Sequence, residues 1–189
     1  MLRKTVTVTM ISTEIEYIRK MAKKACMGGV SRVREGEDRA NNLTIDQFVG
    51  QIGTYAFIKY WTGKPFPYEY MISRYFANLH PKEGDGGSDL PPANIDVKTS
   101  YMRASDDPFA YRLPVRPKEK KDNWIYVLAL MRKIDKPVEE ITEGKIELVG
   151  WARSDMFPPE TDSDGPFKGA YVLTATKLNE LMPLKYKWI

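Results

Sequence analysis

The sequence holds one cysteine, Cys26, and one histidine, His80, among 189 residues. A disulfide framework needs paired cysteines, and a Cys/His zinc site needs more soft donors than one chain supplies here, so neither is built within a chain. Thiol chemistry and a Ser-His-Asp triad would each rest on a single candidate. His80 stands beside Pro81 and reads as a loop residue rather than a catalytic base. No apolar run reaches ~18 residues, so nothing in the sequence is long enough to span a membrane. Met1-Leu2-Arg3-Lys4 runs into alternating Thr and Val rather than an apolar stretch, so a secretory signal is not expected and the cytoplasm is the expected setting.

Hydrophobic residues at 42% and charged residues at 29% are the balance of a globular protein rather than a disordered one. Length predicts a single domain over 1–189, with no internal repeat and no linker long enough to separate two. The net charge of +4 is small, so its distribution matters more than its size.

Thr5–Met10 alternates Thr with Val6, Val8 and Met10, which predicts a short strand with one buried face. Thr13 with Glu16 forms a capping box for a helix carrying Ile15, Ile18, Ala22 and Ala25 on one stripe and stopping at Gly28-Gly29. Ser31–Asn42 reads as a polar loop. Thr44 with Gln47 opens a second helix whose stripe is Phe48, Ile52, Tyr55 and Ala56 and whose end is Gly63. Gly50 and Gly53 lie one turn apart within it, at a cost of ~1 kcal/mol each, which close approach to a neighbouring backbone would offset. Beyond Tyr70 strands dominate: Ile95–Ser100, Trp124–Met131, Ile146–Ala152 with Gly144 in the preceding turn, and Tyr171–Thr174. Leu178–Leu184 reads as a brief helix or turn. The order predicts an α+β or mixed α/β fold.

Chemistry concentrates between Asp85 and Ser100. On a strand, Asp96 and Lys98 share one face while Ile95, Val97 and Thr99 point to the other. The turn Pro91-Pro92-Ala93-Asn94 would fold Asp89-Leu90 back so that Asp89 lies opposite Asp96. Two close carboxylates call for a cation, and a hard oxygen-ligand ion such as Mg²⁺ suits them, with the Val97 backbone carbonyl as a further ligand. Lys98 would orient or deprotonate an attacking water, or offset charge on a phosphate. Asp-x-Lys alone arises by chance in about one chain of this length in two or three. Two related Glu-x-Lys triplets occur here, Glu119-Lys120-Lys121 in a charged loop and Glu143-Gly144-Lys145 at a glycine turn. Only Asp96–Lys98 stands on an apolar strand with a carboxylate opposite.

Asp89 … Ile95-Asp96-Val97-Lys98-Thr99-Ser100, preceded by a helix of the form Gly50-x-x-Gly53-x-x-Ala56, resembles the PD-(D/E)XK nuclease superfamily, in its small restriction-type, resolvase-type and phage-borne branch. Trp124–Met131 and Val149-Gly150-Trp151-Ala152 fit the same pattern, so the resemblance spans about residues 44–155, with the strand and helix of 5–29 packed on that core. It implies a restriction-endonuclease-like α+β core, a central mixed sheet flanked by helices, and Mg²⁺-dependent DNA cleavage, with Mn²⁺ able to substitute. It assigns Asp89 and Asp96 as metal ligands and Lys98 as the catalytic lysine, with Asp85 a rival to Asp89. Many relatives carry a Glu where this chain has Thr54; Gln51, one turn earlier, could contribute an amide oxygen, and Glu69 and Glu83 are other candidates for the third ligand. The alternative that Thr54 raises is a nuclease-fold DNA-binding module with weak or no turnover. The resemblance implies a bacterial, archaeal or phage-infected host cell and leaves a homodimer open. It does not separate restriction, junction resolution and phage DNA degradation. The lone histidine argues against His-Asn-His nucleases.

The charges are segregated. Six bases and no acid lie between positions 19 and 34, Lys23 and Lys24 among them. Arg112, Arg116, Lys118, Lys120 and Lys121 form a second basic stretch, interrupted only by Glu119. Residues 83–107 and 155–164 are acidic. Basic arms around an acidic metal pocket are what a nuclease needs to neutralise phosphates. Asp162-Ser163-Asp164-Gly165 echoes a calcium loop but lacks its later Glu, and reads as an acidic turn.

Overall fold

Strand β1 (Val6–Met10) forms as its alternation requires: Val8 and Met10 are buried while Thr7 and Thr9 face solvent. In the computed structural model of the chain, residues 3–27, 39–63, 94–103, 105–132 and 136–181 are described. Helix α1 (Ser12–Met27) buries Ile15, Ile18 and Ala22, as the stripe predicts. Its N-terminal cap falls two residues before the predicted one. The Ile11 amide donates to the Glu14 carboxylate at 2.9 Å, whereas Glu16 pairs with Lys20 across one exposed turn at 2.8 Å. Glu14 wins because its carboxylate, 4% exposed, also accepts from Lys59, which ties α1 to the second helix.

That helix, α2 (Arg39–Thr62), begins five residues before Thr44 and absorbs part of the predicted loop. It ends at Gly63 as predicted. Gly63 has φ 65° and its amide reaches the Lys59 carbonyl at 3.0 Å, a left-handed termination natural to glycine. Phe48, Ile52, Tyr55 and Ala56 are buried.

Strands β2 (Ile95–Met102), β4 (Ile125–Arg132) and β5 (Gly144–Arg153) join β1 in a four-stranded sheet of order β1-β5-β4-β2. Gly144, expected in a turn, is the first residue of β5. Neighbours β2 and β4 run parallel and the other pairs antiparallel, so the sheet is mixed and the α+β expectation holds. Strand β4 is buried along nearly its whole length because both of its faces are covered. On one face Ile95, Val97, Val127, Ala129 and Met131 pack with α1 and α2. On the other, Met102, Tyr126, Leu128 and Leu130 pack under a two-stranded antiparallel sheet of β3 (Arg112–Val115) and β6 (Tyr171–Thr174). Both described helices thus cover the same face, and the small sheet covers the opposite one.

Strand β3 is absent from the sequence reading. Pro114 inside a four-residue strand argues against one, and the strand survives because β6 is its only partner among the described residues. Within the expected Leu178–Leu184 helix or turn, Asn179 bridges to Trp151 and Leu181, the last described residue, is helical; a 3₁₀ turn at Ala175–Lys177 precedes the segment. No helix among the described residues is long and apolar enough to cross a membrane.

Candidate active-site cleft

The face alternation of β2 decides where its polar residues go. Thr99 points at α2, where its hydroxyl donates to the Gly50 carbonyl at 3.4 Å. Asp96 and Lys98 point to the other face, under the β3–β6 layer, with Asp96 beside Tyr126 in register. The Lys98 Nζ lies 2.8 Å from Asp96 Oδ2 and 3.0 Å from Glu119 Oε2. All three side chains are largely buried, at 24%, 18% and 22% exposure, so the ammonium sits between two carboxylates with little water to screen them.

Protonation is set by that packing. Burial pulls the Lys98 ammonium down, but the two carboxylates more than offset it and its pKa stands above the ordinary lysine range. Burial pushes the Glu119 carboxyl up, yet Lys98 and then Arg116 hold it below the usual carboxylate value. At neutral pH Lys98 is therefore a cation and Glu119 an anion. Burial, reinforced by Asp96, raises the phenol of Tyr126. That phenol is a neutral strut: its oxygen accepts from the Lys121 amide and donates to the Glu119 carbonyl, each at 2.8 Å. A second clamp comes from the Arg116 carbonyl, which accepts from the amides of Glu119 and Lys120. Glu119 is thus held against Lys98 by its own loop.

Sequence reasoning passes over Glu119, because Glu119-Lys120-Lys121 looks like a coincidental triplet in a charged loop. Its one distinguishing signal is the tyrosine seven residues on, at the alternate-face position of an apolar strand. Asp85, Asp89, Glu69 and Glu83 lie outside the described residues, as does the expected hairpin pairing of Asp89 with Asp96. Gln51 and Thr54 are on α2, across the sheet from Lys98. The Thr54 hydroxyl bonds back to the Gly50 carbonyl of its own helix at 3.3 Å.

The basic arms divide by location. Arg116 and Lys118 line a cleft of about 700 Å³ together with Lys98, Glu119 and, from the facing turn, Phe167 and Lys168. Lys120 and Lys121 instead lie over the rings of Tyr171 and Trp124, each 4.2 Å from the ring centre. Arg112 is exposed, 3.9 Å from the Asp162 carboxylate. The N-terminal block is partly structural: Arg19 donates to the carbonyls of Val138 and Ile141, fastening α1 to that loop. Lys23 is exposed on α1, in the layer across the sheet from the cleft, and the Lys24 side chain lies outside the described residues.

Hard oxygen donors around Asp96 suit Mg²⁺ or Mn²⁺ in kind. Among the described residues, however, no group of three or more acidic, histidine or cysteine side chains converges on one point. No family model matches this sequence, and no curated protein or solved structure matches it either.

Proposed function

We propose that the protein is a metal-dependent DNA endonuclease of PD-(D/E)XK type. The observation that carries the reading is the largely buried Asp96–Lys98–Glu119 group, whose Lys98 and Glu119 line a cleft together with Arg116, Lys118 and Lys168. Asp96 and the Val97 carbonyl, joined by Asp89 or its rival Asp85, would hold Mg²⁺ or Mn²⁺. When bound, such an ion supplies Lewis-acid stabilisation of the phosphate and a more acidic water.

The chain's own residues then do three things. Arg116, Lys118 and Lys168 draw the phosphodiester backbone into the cleft. Lys98 presents its ammonium beside Asp96, where it orients the attacking water and offsets charge developing on the phosphate oxygens. Glu119 and Asp96 hold that ammonium in place, so it need not reorganise as charge develops. Cutting both strands of a duplex takes two such sites, which a homodimer would supply.

The test is metal-dependent nicking of supercoiled plasmid. Asp96→Asn and Lys98→Ala should each lower the rate by about a hundredfold or more, with thermal unfolding still cooperative. Wild-type rates in the double variant overturn the assignment. A second reading is a DNA-binding module without turnover. The hydroxyl of Thr54 favours it, being turned into its own helix where many relatives carry a carboxylate. Salt-sensitive DNA binding without any heat of Mg²⁺ or Mn²⁺ binding in calorimetry would select that reading.

A further inference from the structure

The geometry points to a substrate class: we infer that the cleft takes an unpaired DNA strand, with phosphates on Arg116, Lys118 and Lys168 and a base stacked on Phe167. The inference deepens the nuclease reading and rests on it for the identity of the ligand.

The cleft is a built feature of the β3–β6 pair. Val115 is opposite Tyr171 in register, so the chain leaving β3 and the chain entering β6 form its two walls. One wall is the 116–121 loop clamped by Tyr126. The other is the acidic turn together with the residues that lead from it into β6. There Asp162 and Ala170 close on each other, Asp162 N to Ala170 O and Gly169 N to Asp162 O, both at 2.8 Å. Left-handed Gly165 and Gly169 frame the residues between them. Three prolines, Pro114, Pro117 and Pro166, stiffen both walls. Little order has to be imposed on such walls when a strand enters.

Three observations select an unpaired strand. First, the volume of about 700 Å³ falls among pockets of about 300–1,000 Å³ that take one small ligand, room for a nucleotide or two rather than a double helix. Second, Phe167 is half-buried and lines the cleft, and among the described residues it packs against neither apolar cluster. A ring set among phosphate-binding cations has a use when a base face is open to it, which stacked duplex denies. Third, among the described residues no carboxylate pairs with Lys118 or Lys168, whereas Lys98 is doubly paired. The unpaired ammoniums are left to bind an anion, and the paired one stays at the reacting position.

The experiment measures fluorescence anisotropy of a labelled 12-nucleotide single strand and of the matching duplex in EDTA, with the full chain, across a salt series. Wild type should bind the single strand several-fold more tightly than the duplex. Lys168→Ala should weaken single-strand binding and reduce the salt slope by about 0.7, one phosphate contact. Phe167→Ala should weaken the single strand about fivefold or more, leave the duplex unchanged, and be rescued by Phe167→Tyr. Lys145→Ala, exposed on β5 beside β1, serves as the neutral control. Equal affinity for the two DNAs, or variants binding like wild type, overturns the inference. Plasmid nicking measured in parallel separates the two readings. Binding through Phe167 and Lys168 without nicking keeps the cleft and removes the nuclease, while nicking with unaffected variants removes the cleft assignment alone.

Discussion

Gly50 and Gly53 lie three residues apart in α2, and the structure predicts opposite outcomes for alanine at the two positions. At Gly50 a Cβ meets nothing within 4 Å. Gly50→Ala therefore returns the helix-propensity difference of ~1 kcal/mol, which for a chain of this size raises Tm by about 2–4 °C. At Gly53 a Cβ falls 1.9 Å from Thr99 Oγ1, 2.7 Å from its Cγ2 and 2.8 Å from its Cβ. Rotating Thr99 moves only the first two atoms, so the helix must lift from β2. Overpacking of this kind costs ~1–3 kcal/mol. Taking the upper end, because a Cβ is involved, and subtracting the propensity gain leaves a net loss of ~2 kcal/mol, a fall of roughly 4–8 °C in Tm. Thr99→Ala in the same chain removes two of the three contacts and recovers part of the loss. Thermal and urea unfolding followed by circular dichroism reads both values, with unchanged urea dependence confirming that stability alone has moved. Equal and positive shifts for the two alanines would refute the close approach of α2 to β2. The outcome bears on the candidate site because β2, from which α2 lifts, carries Asp96 and Lys98 on its other face.

Two further outcomes concern the Glu119 loop. Tyr126→Phe deletes a buried hydroxyl that serves both Lys121 N and Glu119 O, so it should cost about 1–3 kcal/mol and speed hydrogen exchange at the Lys121 amide; unchanged exchange would show that the phenol is no strut. Because the folded-state pKa of Glu119 is lowered, its stabilisation is present above the ordinary carboxylate value and disappears as pH falls through the folded value. Glu119→Gln should therefore lower Tm at neutral pH and converge on wild type as pH falls through the lowered folded-state value; a gap independent of pH would refute the charge pairing. For Lys98, whose pKa is raised, the sign reverses: its stabilisation is present at neutral pH and is lost only as pH rises through the raised value.

Local signals are legible where a single element settles them. The stripes of α1 and α2, the stop at Gly63, the alternation of β1 and the short strand at Tyr171–Thr174 depend on residues a few positions apart. Caps are less legible. Sequence favours Thr13 with Glu16, because Ile11 has no side-chain oxygen to cap with, and the choice of Ile11 with Glu14 rests on Lys59, 45 residues from Glu14. The early start of α2 and the strand at Arg112–Val115 are likewise hidden. A polar composition reads as loop, and Pro114 reads as a strand breaker, unless the partner strand is known. The two glycines of α2 look equivalent in one dimension, and only the position of Thr99 distinguishes them.

By itself the sequence determined the chemistry that this protein has to work with. One cysteine and one histidine leave carboxylates and lysine, and the period of two in Ile95–Ser100 puts Asp96 and Lys98 on one face. Tertiary structure decided which of the many charges meet. It brought Glu119 across 21 residues to Lys98, committed Lys120 and Lys121 to aromatic rings, and set Lys168 opposite Lys118. The physical reason is that strand periodicity is a property of the local backbone, whereas ion pairing and cleft formation depend on contacts between segments that only packing brings together.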